Sequence, residues 1–373
     1  MTKVLQVYRT YFPDTQGGVQ ETIRQICLNT QQHGIISKVY SPSSNPDPKL
    51  IKSDEADIHR VNLDFEIASC GFCFSGIAEF KRLVDWADIV HYHFPWPFAD
   101  FLHLISKVNK KTLVTYHSDI VRQVLLLKLY TPLMHRFLSS VTKIVCTSPN
   151  YFQTSNLLER FSGKTEVIPI GLNEESYPRV TTQLVDKVSK RFGEKFFLFV
   201  GVLRYYKGLH ILLEAMQGTE LRVVIVGAGP IERELKAQAK KLKLEKVIFA
   251  GHVSDEVKVA LFKLCCGVVF PSYLRSEAFG VTLLEGAMFG KPLISTEVGS
   301  GTSHVNVHNE TGLVTGPGDP KGLRAAMQAL DSDGRLAAQM GRNARQRYED
   351  LFTGEKMGSQ YARLYEKLTG ETE

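Results

Sequence analysis

Two glutamates, Glu277 and Glu285, enclose the small and apolar run Ala278-Phe279-Gly280-Val281-Thr282-Leu283-Leu284. Glu277 follows Pro271 and Ser272 and is expected in a loop, whereas Glu285 falls within a helix expected over 281–289. Eight residues of ideal helix span roughly 12 Å, a length that suits a sugar at one end of a diphosphate and a ribose at the other. One carboxylate can accept hydrogen bonds from sugar hydroxyls and the other from ribose hydroxyls. Backbone N–H groups of Ala278, Phe279 and Gly280, at the start of the helix, suit the anion between them. Glutamates eight apart are common; the loop-then-helix setting is what points to chemistry.

Other residues invite the same question. Gly201-Val202-Leu203-Arg204-Tyr205-Tyr206-Lys207-Gly208 holds two cations in a strand-to-helix loop bounded by glycines, a composition that suits a diphosphate. Gly17 and Gly18 stand in an equivalent loop near the start of the chain, where a ligand can come close to the backbone and to a helix N-terminus. His91, His93 and the run Thr115-Tyr116-His117-Ser118-Asp119 follow apolar segments and are expected to open on one sheet edge. A histidine there could position an acceptor hydroxyl or a transferred group.

Several motifs carry less. Gly227-Ala228-Gly229-Pro230-Ile231-Glu232 starts like a dinucleotide fingerprint but ends in Glu where Gly is needed, and it reads as a strand-to-helix turn. Asp331-Ser332-Asp333 sits between helical segments and reads as a cap. Cys70 and Cys73 form a lone C-x-x-C without a second pair, so buried reduced thiols are expected and no metal is assigned.

The elements that must position these residues follow from hydrophobic periodicity. Short β-branched runs at 4–8, 36–40, 89–92, 112–116, 143–147 and 165–168 alternate with helical segments such as 19–32 and 98–108. The pattern restarts with strands at 196–201, 222–226, 247–250, 267–270 and 292–295, separated by helices at 208–215, 231–243 and 281–289. Such alternation argues for parallel α/β sheets, here two doubly wound units in tandem. A first domain over 1–176 and a second over 177–354 are expected. The helical spacing of Tyr361, Leu364, Tyr365 and Leu368 suggests a terminal helix within 355–373 that packs back on the first domain.

The 373 residues suffice for two cores, and a net charge of +6 without a recognisable module gives no reason to expect nucleic acid. The N-terminus runs directly into a strand and lacks the apolar core of an export signal, and no stretch reaches a membrane-spanning length. A cytoplasmic protein is expected. The segment 121–138 mixes Leu and Val with Arg and Lys, as a helix lying on an anionic membrane surface does; an ordinary buried helix with basic edges fits it equally.

Taken together, the Gly17-Gly18 loop, the 115–119 segment, Ile168-Pro169-Ile170-Gly171, the Arg204/Lys207 loop and the Glu277/Glu285 pair resemble the retaining family 4 glycosyltransferases. Gly290-Lys291-Pro292 and Gly299-Ser300-Gly301-Thr302 extend the likeness, which covers nearly the whole chain and is greatest to bacterial mannosyltransferases of O-antigen and related polysaccharide assembly. The resemblance implies a GT-B fold, two Rossmann-like doubly wound domains facing a central cleft. It implies a metal-independent transfer from a nucleotide sugar, GDP-mannose first and UDP-hexoses next, to an acceptor such as an undecaprenyl-diphosphate-linked saccharide. Work at the cytoplasmic face of the inner membrane beside other polysaccharide-assembly enzymes would follow.

Residue by residue, it gives Glu277 the donor sugar's hydroxyls, Glu285 the ribose, and Arg204 and Lys207 the diphosphate. Gly17 and Gly18 would lie near the donor's phosphates and His117 against the transferred sugar. Ala278, Phe279, Gly280 and Val281 would supply backbone groups, and Val253 would lie near the base. His91, His93 and Asp119 are left for the acceptor. The sequence departs from the pattern at Val202, where the family carries Arg, and at Asn173, which replaces an Asp. A sugar-nucleotide epimerase of the same architecture and a non-catalytic nucleotide-sugar binder are the rival readings; a dehydrogenase would need a complete glycine fingerprint.

Overall fold

The computed structural model describes residues 1–68, 70–120 and 124–370. The chain forms two compact units, one of Met1–Gly171 with Gly354–Glu373 and one of Leu172–Thr353.

The first unit carries strands β1 (Thr2–Val7), β2 (Ile35–Ser43), β3 (Leu50–Lys52) and β4 (Asp57–Asn62). A separate hairpin, β5 (Phe65–Ile67) with β6 (Cys70–Phe72), precedes β7 (Ile89–Phe94), β8 (Lys111–Tyr116), β9 (Lys143–Cys146) and β10 (Thr165–Val167). The main sheet runs in the order β10-β9-β8-β7-β1-β2-β4-β3 and is parallel throughout except at the β3–β4 edge. Every residue of β7 is buried, as expected for a central strand covered on both faces. The order reverses between β1 and β7, so the loops leaving those two strands diverge and open a crevice at their carboxyl ends.

The last helix, Gly354–Thr369, belongs to this unit. Met357, Tyr361, Leu364, Tyr365 and Leu368 share a core with Val4, Ile26, Ile35, Ile89 and Leu113. Their helical spacing puts them on one face, so the end of the chain closes over the start of it.

The second unit holds β11 (Phe197–Val200), β12 (Val223–Val226), β13 (Val247–Gly251), β14 (Gly267–Phe270), β15 (Leu293–Thr296) and β16 (Gly312–Thr315). Their order is β13-β12-β11-β14-β15-β16, all parallel. The reversal lies between β11 and β14, and these are the strands that lead into the Lys207 loop and the Glu277 loop. Phe197, Phe199, Leu212, Val223, Ile225, Val269, Ile294 and Met327 form the core.

Several elements were not expected from the sequence, the edge strand β3 among them. Strand β4 went unforeseen because His59 and Arg60 are buried within it; Arg60 is held by Asp14 at 2.6 Å, so its polar side chains hide an inward-facing strand. The β5–β6 hairpin and β16 were also unexpected, each being only three or four residues long. Of the segment 121–138, residues 121–123 lie outside the described residues; the rest belongs to the helix Val124–Ser140.

Candidate functional site

In the second unit glycines let the loop after β11 pack closely against its neighbours. Gly208 has φ 69°, and a Cβ there would stand 1.9 Å from the Pro271 carbonyl oxygen. Only glycine brings the Lys207 loop that close to the segment leading to Glu277. Gly227 and Gly229 act from the other side, where added Cβ atoms would meet the Gly201 and Leu203 carbonyl oxygens at 2.1 and 2.4 Å. Leu203 N–H donates to the Ala228 carbonyl at 3.0 Å. The incomplete dinucleotide fingerprint is thus a brace for the cationic loop.

Lys207 Nζ forms an ion pair with Glu277, to which the Ser272 hydroxyl also donates at 3.4 Å. Burial, the largest single effect, would lower the Lys207 pKa, but the charge and hydrogen bond of Glu277 together with the nearby Tyr206 phenol outweigh it and hold the ammonium above its ordinary value. Lys207 also lies 4.7 Å from the centre of the Phe270 ring. Arg204, by contrast, is exposed, and its guanidinium has no partner among the described residues. Val202 is exposed too.

The helix after Glu277 spans Val281–Met288, so the preceding residues form a loop and only about 6 Å of helix rise separates Val281 from Glu285. Gly280 caps it at φ 86° without a side-chain bond, and the first amides of the helix have no intrahelical acceptor. Ala278 and Phe279 are buried; the Ala278 carbonyl accepts from Gly301 N–H at 2.7 Å, which ties the loop to the Gly299–Thr302 turn.

Glu285 is nearly enclosed. The Tyr177 hydroxyl donates to it at 3.1 Å, and Lys258 Nζ lies 3.1 Å away while also meeting Asp255 at 3.1 Å. Burial opposes the Lys258 charge, but Glu285 and Asp255 prevail and raise its pKa. Neither Tyr177 nor Lys258 was singled out from the sequence. Val253 lies half-buried in the loop between β13 and the helix Asp255–Leu264.

In the first unit Gly17 is extended at φ 178°, and a Cβ there would meet only the flexible end of Gln20. Gly18 opens the helix Gly18–Gln31, which has no side-chain cap. His117 follows β8 and is buried apart from a small opening. Burial lowers its pKa to about 3. Asp119 accepts from the Tyr116 hydroxyl at 2.7 Å and from the Ser155 hydroxyl at 3.2 Å.

His91 and His93 need correction. Both were expected to open on the sheet edge toward an acceptor, yet both are enclosed, with each ring nitrogen taken. His91 meets Tyr365 and Thr115 at 2.8 and 2.7 Å, and His93 meets His117 and Gln6 at 2.9 and 2.8 Å. The terminal helix supplies the tyrosine that covers His91. Neither histidine reaches a ligand directly in this arrangement.

Comparison with known proteins accords with this geometry. Residues 16–176 match the family described as Glycosyltransferase Family 4, and residues 181–347 match Glycosyl transferases group 1. A D-rhamnosyltransferase of Pseudomonas aeruginosa is 52% identical over 94% of this chain and 92% of its own length. The O-antigen chain mannosyltransferase C of Escherichia coli is 46% identical over 98% of both chains. Among solved structures, a sucrose-phosphate synthase from Thermosynechococcus elongatus is similar in fold, with a TM-score of 0.82 at 21% identity over all of both chains. The Anabaena protein HepE in complex with UDP-glucose gives a TM-score of 0.79 at 19% identity, covering 98% of this chain and 100% of its own.

Proposed function

Because the chain belongs to the family 4 glycosyltransferases of GT-B fold, we propose that it moves a hexose, mannose from GDP-mannose, with retention onto a lipid-linked saccharide in O-antigen or related surface-polysaccharide assembly. The observation that carries this reading is the pair of buried carboxylates, each matched by a lysine, on either side of an uncapped helix N-terminus.

A diphosphate arriving at Val281 competes with Glu277 for the Lys207 ammonium. Lys207 turning to the phosphate frees the Glu277 carboxylate to accept hydrogen bonds from the sugar. Arg204, exposed and unpaired, adds a second cation as negative charge grows on the departing diphosphate. Glu285, fixed by Tyr177 and Lys258, presents its remaining acceptor capacity to the ribose hydroxyls, with the base toward Val253. His117 receives a hydroxyl of the transferred sugar, and the open amides at Gly17 and Gly18 receive phosphate oxygens. The acceptor hydroxyl attacks from the face the diphosphate leaves, and its proton passes to the leaving phosphate oxygen; no metal is needed where lysine and arginine carry the charge.

The acceptor is an undecaprenyl-diphosphate-linked saccharide, reached from the cytoplasmic face. On the helix Val124–Ser140, Leu126 and Leu129 are exposed beside Lys128, a composition suited to an anionic membrane surface. Among the described residues no helix is long and apolar enough to cross a membrane.

D-rhamnose as the transferred sugar is a second reading, favoured by the 52% identical relative. The two sugars differ only at C6, which bears a hydroxyl in mannose and none in D-rhamnose. Release of nucleoside diphosphate from each candidate donor, with and without a lipid-linked saccharide, tests both readings. Acceptor-dependent release is expected; donor turnover without any acceptor dependence would favour an epimerase or hydrolase.

A further inference from the structure

Seven buried side chains of the first unit make one unbroken hydrogen-bonded chain. His117 Nε2 lies 2.9 Å from His93 Nδ1, and His93 Nε2 lies 2.8 Å from Gln6 Oε1. The Gln6 amide nitrogen lies 3.4 Å from the Tyr365 hydroxyl, which lies 2.8 Å from His91 Nδ1. His91 Nε2 is 2.7 Å from the Thr115 hydroxyl, itself 2.8 Å from that of Tyr361. The three imidazoles stack, with centroid separations of 4.5 and 5.2 Å. Strands β1, β7 and β8 and the last helix all contribute.

Burial keeps His91 and His93 well below the ordinary histidine range and His117 down at about 3, so all three rings are neutral at neutral pH. A neutral imidazole has one donor and one acceptor, so each link dictates the next. The Gln6 amide nitrogen donates to Tyr365, which leaves its oxygen to accept from His93 Nε2–H. Tyr365 passes its own hydrogen to His91 Nδ1, and His91 Nε2–H donates to Thr115. On the other side, His93 Nδ1 is bare and accepts from His117 Nε2–H. His117 then has no second proton, and its Nδ1 has no hydrogen-bond partner among the described residues.

We propose that Gln6, acting through His93 and held in orientation by Tyr365, fixes the tautomer of His117 so that Nδ1 stands bare to accept a ligand hydroxyl. Gln6, His93 and Tyr365 are positioning residues, and the terminal helix takes part in the site from behind the sheet. The identity of the hydroxyl, on the transferred hexose, rests on the sugar-transfer reading; the tautomer does not.

Nitrogen-15 NMR of the full chain labelled at histidine tests this, with the His117 signals identified by their loss in His117→Gln. The wild type is expected to show Nε2 protonated and Nδ1 bare. Gln6→Met, close in volume, and Tyr365→Phe, which keeps the ring, are each expected to move His117 toward a mixture of tautomers. Gln6→Met should also lower kcat/KM for the donor by about fivefold, the value of one neutral hydrogen bond. A protonated His117 Nδ1 in the wild type overturns the proposal, as do unchanged His117 signals in both variants. If the tautomer behaves as expected but His117→Gln transfers sugar at the wild-type rate, the hexose contact is wrong and the tautomer lock stands.

Discussion

Lys207 and Glu277, 70 residues apart in the chain, meet at the point where the second sheet reverses its strand order and form an ion pair whose side chains are only 13% and 11% exposed. Each charge neutralises the other in a place where either alone would be costly. The pair is therefore a structural clasp and, in the proposed function, the resting state of the two groups that meet the donor.

Removing one partner exposes both roles. Glu277→Ala leaves an ammonium enclosed without its carboxylate and is expected to cost about 3 kcal/mol of stability, together with a loss of transfer of at least about a hundredfold. Glu277→Gln keeps the shape and should lose less stability while transfer remains as low. Urea denaturation and initial rates on the same preparations check both.

Glu285 is held by two neighbours, Tyr177 and Lys258. With Lys258→Met or Tyr177→Phe the carboxylate loses one of its two supports. The donor KM should rise by roughly tenfold, about 1.4 kcal/mol, while kcat changes little, since the ribose binding proposed for Glu285 would be shared by ground and transition states. An equal fall in kcat would place these residues in the chemical step instead.

The buried histidines give a pH dependence of definite sign. His117 ionises near 6.5 when unfolded and at about 3 when folded, and His91 and His93 shift the same way. Below about pH 6.5 the unfolded chain binds protons that the folded chain refuses, so stability falls as pH falls. The slope approaches about 1.4 kcal/mol per pH unit for each such histidine. Thermal midpoints between pH 7.5 and 5 should decline, and less steeply in His91→Gln than in the wild type.

The glycines separate by backbone geometry. Gly208→Ala forces a Cβ into the Pro271 carbonyl at a positive φ and should cost about 2 kcal/mol or more along with donor binding. Gly17→Ala, at an extended φ with only Gln20 in the way, should leave the thermal midpoint within about 1 °C. Equal damage at both positions would contradict this assignment.

What could be read from the sequence was whatever local chemistry signals on its own. Two tandem parallel α/β units were legible in the alternation of apolar runs, and Glu277, Lys207 and Glu285 were legible because charged residues interrupt otherwise apolar strand-to-helix passages. Tyr177 and Lys258 were not, because their role arises only where the chain returns to Glu285; Tyr177 approaches from 108 residues away. His91 and His93 misled for the same reason in reverse: their strand points toward the carboxyl edge of the sheet, but Tyr365 of the last helix covers His91 while Gln6 and His117 occupy His93. Arg60 hid β4 because the Asp14 that pays for its burial lies far away in sequence.

Sugar transfer is read most directly from the mass of the acceptor. Purified protein is incubated with a lipid-linked saccharide and, in separate reactions, GDP-mannose, GDP-D-rhamnose and the UDP-hexoses. An acceptor heavier by one or more hexose residues is expected with GDP-mannose, and no gain with Glu277→Ala. An acceptor of unchanged mass with every donor, from protein that binds those donors, would contradict the proposed transfer.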